Sequence, residues 1–190
     1  NLTYESDNRN ENEITKDFNE QAKVLNPYVD FFYFDVWSSI KEVKCGINAI
    51  KEFKKPYLVG IHISEGTNLP SGEKISDLKN VIDEQVLGVI LSCVSPESFE
   101  ANLDELKDLN VPFGFKLNGF ITTKPKGGYT ASYLKYKKGV NPNEFLGQRK
   151  DLTPKKICEF VKKFKNAGAT ILGGCCEIRP SHIEAIAKFK

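Results

Sequence analysis

The 190-residue chain has no Met, a single Trp and two His. Without Met it has no initiator, and it reads as beginning inside a longer protein. Long hydrophobic runs are missing too: the most apolar stretch, VLGVILSCV at 86–94, falls far short of the ~20 residues that span a bilayer, and no leader pattern opens the chain. Neither a membrane span nor secretion is expected. There is little surplus of either charge. The 27 basic and 25 acidic residues are spread along the chain, leaving a formal net charge of +2 and no basic stripe or tail of the kind nucleic acid demands. Cysteines are few and irregular. Those at 45, 93, 158, 175 and 176 are odd in number and lack the C-x-x-C spacing, so reduced thiols and a cytoplasmic setting are expected rather than a disulfide framework.

What is present is a regular alternation. With 40% apolar residues the chain can bury a core, and its length suits a single domain over 1–190. Residues 1–12 are polar and read as a loop. Ile14, Phe18, Ala22 and Leu25 recur at helical spacing over 13–25. Then short apolar runs at 29–37, 56–64, 86–94, 112–119 and 169–174 read as strands. Helical stretches at 40–53, 75–84, 95–109, 153–168 and 180–189 separate or follow them. Continuous apolar strands divided by helices predict parallel pairing with both faces covered, which is an α/β fold. Two architectures fit: a doubly wound open sheet, or a (β/α)8 barrel of which this chain carries five units, since a closed barrel takes eight.

In both architectures chemistry sits at the carboxyl ends of strands. Cys93 falls at that end of the third predicted strand, and Cys175 with Cys176 at that end of the fifth. Three thiolates are a soft donor set suited to Zn²⁺, and three protein ligands with a vacant fourth position is the catalytic pattern. Gly173 and Gly174, just before the pair, would let the backbone turn so that both thiols face one ion. Three unconnected buried cysteines are the other reading. Cys45 and Cys158 fall within helices and read as small packed hydrophobes.

GGCCEIRPSHIEAIA at 173–187 resembles the motif that closes the homocysteine S-methyltransferase family. VDFFYFDVWSSIKEVKCGINAIKE, GTNLPSGEKISD, GVILSCVSPES and VPFGFKLNG resemble further segments of that family in the same order. The resemblance implies a (β/α)8 TIM barrel with roughly its last five βα units present. It implies Zn²⁺ held by Cys93, Cys175 and Cys176, homocysteine as the acceptor whose sulfur completes the metal's coordination, and a small sulfonium or ammonium methyl donor. It further implies substrate contacts from Asp35, toward the acceptor ammonium, and from Asn118 near the site.

The chain departs from the family pattern at three places. Asp35 stands where Glu is usual, Ser92 where Asn is usual, and Glu177 where Gly is common. His182 is expected to orient the turn before the last helix, His62 to be a core or rim residue, and Trp37 to pack. By the same resemblance, the chain is expected to lack the barrel's amino-terminal strands. A chain that keeps the fold and the zinc but cannot turn over is therefore the alternative to a methyltransferase, and the open edge would take the missing amino-terminal part or a second copy of the chain.

Overall fold

The computed structural model describes residues 6–63, 66–122 and 146–189. Five strands, β1 (Phe32–Trp37), β2 (Tyr57–Ile61), β3 (Val86–Val94), β4 (Phe113–Leu117) and β5 (Ile171–Gly174), form one parallel sheet in chain order. Helices α1 (Glu11–Leu25), α2 (Ile40–Ile50), α3 (Pro96–Ala101), α4 (Leu103–Asp108), α5 (Pro154–Asn166) and α6 (Pro180–Ala187) precede, connect or follow the strands. Sequential order decides between the two architectures, because a doubly wound sheet reverses its strand order partway. Curvature points the same way. Laid flat, β1 and β4 would lie about 14 Å apart, three strand spacings. Yet Lys116 Nζ on β4 reaches Asp35 Oδ2 on β1 at 2.7 Å. The sheet is a barrel arc, and among the described residues β1 and β5 each pair on one side only.

The convex face carries the core. Phe34, Val59, Ile61, Leu91, Phe115 and Leu117 are buried against the helices. Phe99 of α3, Phe115 of β4 and Phe164 of α5 form a ring cluster with centroids 4.7 to 5.6 Å apart. Of the KKFK run on α5, the lysines are exposed and Phe164 is buried, as a solvated helix with one apolar stripe requires. The KYKK run lies outside the described residues. Cys45 is buried on α2, its thiol 3.6 Å from the Glu11 carbonyl, and Cys158 is half-buried on α5.

Three boundaries differ from the sequence expectation for identifiable reasons. The loop expected over 1–12 gives way to helix at Glu11, because Asn10 caps α1: its side chain accepts from the Glu13 amide at 3.0 Å while the Glu13 carboxylate accepts from Asn10. The helix expected at 75–84 is a 3₁₀ turn, Ile75–Asn80. Its buried residues, Ile75 and Leu78, are spaced by three, the 3₁₀ period. The single helix expected at 95–109 breaks at buried Asn102, whose amide donates to the Ser98 and Gly66 carbonyls at 2.7 and 3.1 Å.

Trp37 is a packing residue. Its ring stacks between Phe18 and Phe34, at 4.8 and 4.4 Å, and leans on Gly46 of α2, where an added Cβ would fall 2.1 Å from the indole. Gly46→Ala is therefore expected to lower stability by about 1–3 kcal/mol through overpacking, outweighing the better helix propensity of Ala. Urea unfolding monitored by Trp37 fluorescence measures it, and an unchanged or raised midpoint would contradict the packing.

Candidate metal centre

The strands that bear the thiols are not neighbours, since β4 lies between β3 and β5. Convergence depends on local backbone devices. The β3–β4 register shifts between Ser92 and Val94, and the residue in that bulge, Cys93, has a left-handed backbone at φ 59°. After β5 the amide of Cys175 bonds the Leu117 carbonyl at 2.7 Å, Gly119 donates to the Cys176 carbonyl at 2.9 Å, and Glu177 is left-handed at φ 63°. Non-glycine residues in this region are strained, and such strain concentrates at functional sites. Val36, in the bulge of β1, is a third case at φ 60°.

The two glycines before the thiols serve a different purpose from the one their identity suggests. Neither Gly173 nor Gly174 has positive φ; the left-handed residue of this turn is Glu177. What Gly174 supplies is room. A Cβ there would lie 2.4 Å from Ile178 Cγ2, where the chain doubles back, whereas one on Gly173 would make ordinary contact with the Lys116 side chain at 3.4 Å.

The outcome is a three-sulfur cluster. Cys93 Sγ and Cys175 Sγ each lie 3.9 Å from Cys176 Sγ, and all three are within 4.8 Å of one another. Tetrahedral thiolates about 2.3 Å from a zinc ion sit roughly 3.8 Å apart, so the donor set fits such an ion with little adjustment. Phe120, Leu146 and Val36 pack around the sulfurs and limit water. The thiols act on one another: contact with Cys176 and Cys93 holds Cys175 below the usual thiol range, with the Lys116 charge assisting. The same contact with Cys175 pushes Cys93 and Cys176 up.

Polar neighbours hold the cluster in place. Asn118 is fully buried at the end of β4; its amide donates to the Cys93 carbonyl and lies 3.8 Å from the Cys93 sulfur, while its oxygen accepts from the Phe120 amide at 3.1 Å. His62, fully buried beyond β2, meets the Ser92 carbonyl at 3.1 Å through Nδ1, and burial pulls its pKa down to about 4. His182 stands in the first turn of α6. Its Nδ1 accepts from the Arg179 amide at 2.9 Å and its Nε2 contacts the Leu152 carbonyl at 2.8 Å, so it orients the turn after the cysteine pair. Glu177 pairs with Arg179 at 2.7 Å.

On the concave face, Asp35 does not stand alone. Its carboxylate is engaged by Lys116, which also lies 5.3 Å from the centre of the Tyr33 ring. The Tyr33 hydroxyl and Ser92 Oγ are 2.6 Å apart, and burial raises the Tyr33 pKa. Lys116 and Tyr33 were not singled out by sequence. The signal was there in the parity of the strand, since Lys116 precedes Asn118 by two and so shares its face.

A family model for homocysteine S-methyltransferase matches residues 2–189, and the chain belongs to that family. It is 26% identical over 164 residues to homocysteine S-methyltransferase 1 of Zea mays, a match covering 84% of this chain and 46% of that protein. It is 26% identical over 186 residues to an S-methylmethionine–homocysteine S-methyltransferase of Pongo abelii, covering 95% and 50%, and 26% identical over 140 residues to a selenocysteine Se-methyltransferase of Brassica oleracea var. italica, covering 71% and 35%. The chain spans half or less of the length of these relatives. The crystal structure of the homocysteine methyltransferase MmuM from Escherichia coli, in its apo form, shares the fold with a TM-score of 0.65 at 15% identity, over 93% of this chain and 58% of that one. Among the described residues no helix is long and apolar enough to cross a membrane.

Two measurements check this geometry. Removing the Asn118 amide in Asn118→Leu should weaken zinc binding by roughly 10–100-fold in competition with a chromophoric chelator, the usual cost of losing a group that orients a ligand; unchanged affinity would show that Cys93 holds its place unaided. His62 is neutral when folded and takes up its proton more readily unfolded, so stability should be full above about pH 6.5 and fall as pH drops toward 4. The contribution of this residue is on the order of 3 kcal/mol. It would appear as a pH-dependent denaturation midpoint that flattens in His62→Gln, and equal slopes in both proteins would refute it.

Proposed function

We propose that this chain carries the zinc-binding part of a thiol methyltransferase that moves a methyl group from a sulfonium or ammonium donor to the sulfur of homocysteine, giving methionine. The observation that carries the reading is the trio of thiols from two non-adjacent strands, gathered at the carboxyl end of a barrel arc with the spacing of tetrahedral ligands. Cys93, Cys175 and Cys176 would hold Zn²⁺. When bound, zinc supplies a Lewis acid with a free position that keeps an acceptor thiol deprotonated near neutral pH.

The chain's own residues account for the rest of the arrangement. Asn118 and the turn oriented by His182 fix the three sulfurs. The apolar shell of Phe120, Leu146 and Val36 keeps water from competing with the acceptor for the metal or for the methyl group. In the transfer the acceptor sulfur attacks the methyl carbon in line, a new C–S bond forms, and the donor's C–S or C–N bond breaks to release a neutral sulfide or tertiary amine. Three thiolates and one divalent cation leave a net negative charge, which favours approach of a cationic donor. Thiols that must stay reduced to hold the metal suit a cytoplasmic setting.

Elemental analysis of reduced protein tests this directly. About one zinc per chain is expected, lost in Cys93→Ala and Cys176→Ala, followed by methionine formation from homocysteine when sulfonium and ammonium donors are supplied in turn. Zinc without turnover would favour the alternative, a barrel portion that retains the metal but lacks activity; reduced protein without zinc would overturn the metal reading itself.

A further inference from the structure

Tyr33 of β1 reaches past its neighbouring strand. Its hydroxyl lies 2.6 Å from Ser92 Oγ on β3, although β2 stands between the two strands and two strand spacings put their backbones about 10 Å apart. The crossing depends on Gly60 of β2. A Cβ there would fall 2.8 Å from Tyr33 Cε2 and 2.6 Å from Ser92 Oγ, so a side chain at that position would collide with both partners. Ser92 is fully buried, and it is the last residue in regular register before the bulge that holds Cys93. Its carbonyl meets Nδ1 of His62, just past β2, at 3.1 Å, while the Cys93 carbonyl accepts from the Asn118 amide.

These contacts bear on the metal through the place where they act. A bulged residue stands outside the regular ladder, so the aim of the Cys93 sulfur depends on how firmly its flanks are held. Asn118 grips the bulge from β4. Ser92 is the flank on the other side, held at its carbonyl by His62 and at its side chain by Tyr33. Without Tyr33 the Ser92 hydroxyl would be buried and unsatisfied, and a Ser92 that turned to recover a bond would carry Cys93 with it. We propose that Tyr33 is a positioning residue of the metal centre, acting through Ser92 to hold Cys93 in ligating geometry from a strand that bears no thiol. The inference rests on the three-thiolate reading above and extends the support of that site to β1, with Gly60 as the gap that lets the tyrosine through.

Tyr33 has two further neighbours on the concave face, the Asp35 carboxylate beside its hydroxyl and Lys116, whose Nζ lies 5.3 Å from the ring centre. A double-mutant cycle with Ser92 therefore isolates the one contact that matters. Zinc affinity is measured by competition with a chromophoric chelator, and ligand geometry by the d–d absorption of the Co(II)-loaded protein, in wild type, Tyr33→Phe, Ser92→Ala and the double variant. Each single variant should bind zinc about tenfold more weakly, the low end of the usual cost of losing a group that orients a ligand, and should shift the d–d band. The double variant should be no weaker than the singles, since both remove the same contact. A hydrogen bond that served the fold alone would lower the unfolding midpoint of the metal-free protein and leave affinity and band as in wild type. That result would overturn the inference, as would losses that simply add in the double variant. Should Tyr33→Phe fail to fold, Ser92→Ala decides by the same two readouts, because it removes the partner of the tyrosine with a smaller change in the core. Wild type that takes up neither zinc nor cobalt when reduced would overturn the three-thiolate reading itself, and this inference with it.

Discussion

Three sulfurs must come within about 4 Å of one another from strands separated by a third, and most of what is unusual in this chain follows from that constraint. Sheet curvature brings the strand ends inward, but curvature alone does not aim a side chain. The thiol of Cys93 would alternate with its strand neighbours if β3 stayed regular to its end. A bulge with a left-handed residue breaks that alternation and turns the sulfur across β4. On the other side of the cluster, Glu177 takes the left-handed position that lets the chain double back after Cys176. Left-handed backbone costs roughly 1–2 kcal/mol at such residues. The surrounding bonds of Asn118, His182 and the Gly119–Cys176 backbone pair offset it.

The two faces of the sheet divide the labour. The convex face is apolar throughout and supplies stability through buried rings and branched side chains against α2, α3 and α5. The concave face carries Tyr33, Asp35, Ser92 and Lys116, polar groups that would be costly in a core and that bond to one another across strands. A single register slip would exchange the faces. Parity along the strands is therefore the link from sequence to site, with the glycines marking where the concave face needs space and the polar residues where it needs charge.

Much of this was legible beforehand, and the exceptions have physical causes. Strand and helix order came from apolar runs and helical periodicity, because each element buries one continuous face. The three thiols could be grouped because chemistry sits at the carboxyl ends of strands in either parallel architecture and a barrel brings such ends together. Asn102 was illegible as a helix break, since its effect depends on reaching the Gly66 carbonyl, a contact distant in sequence. The strain at Cys93 and Val36 was equally hidden, for a bulge is set by pairing and not by residue type. Lys116 is one of 27 basic residues, and only the pairing with Asp35, 81 positions away, separates it from the solvated remainder.

All three sulfurs, the asparagine that anchors Cys93 and the histidine that orients the cysteine turn belong to β3, β4, β5, α6 and their connections, within the arc described here. The three-thiol cluster thus lies within a chain that covers half or less of its relatives' length, whereas β1 and β5 each pair on one side only among the described residues. The groups that hold the sulfurs in place therefore act from inside the arc, whereas Lys116 and Asp35 meet across its concave face.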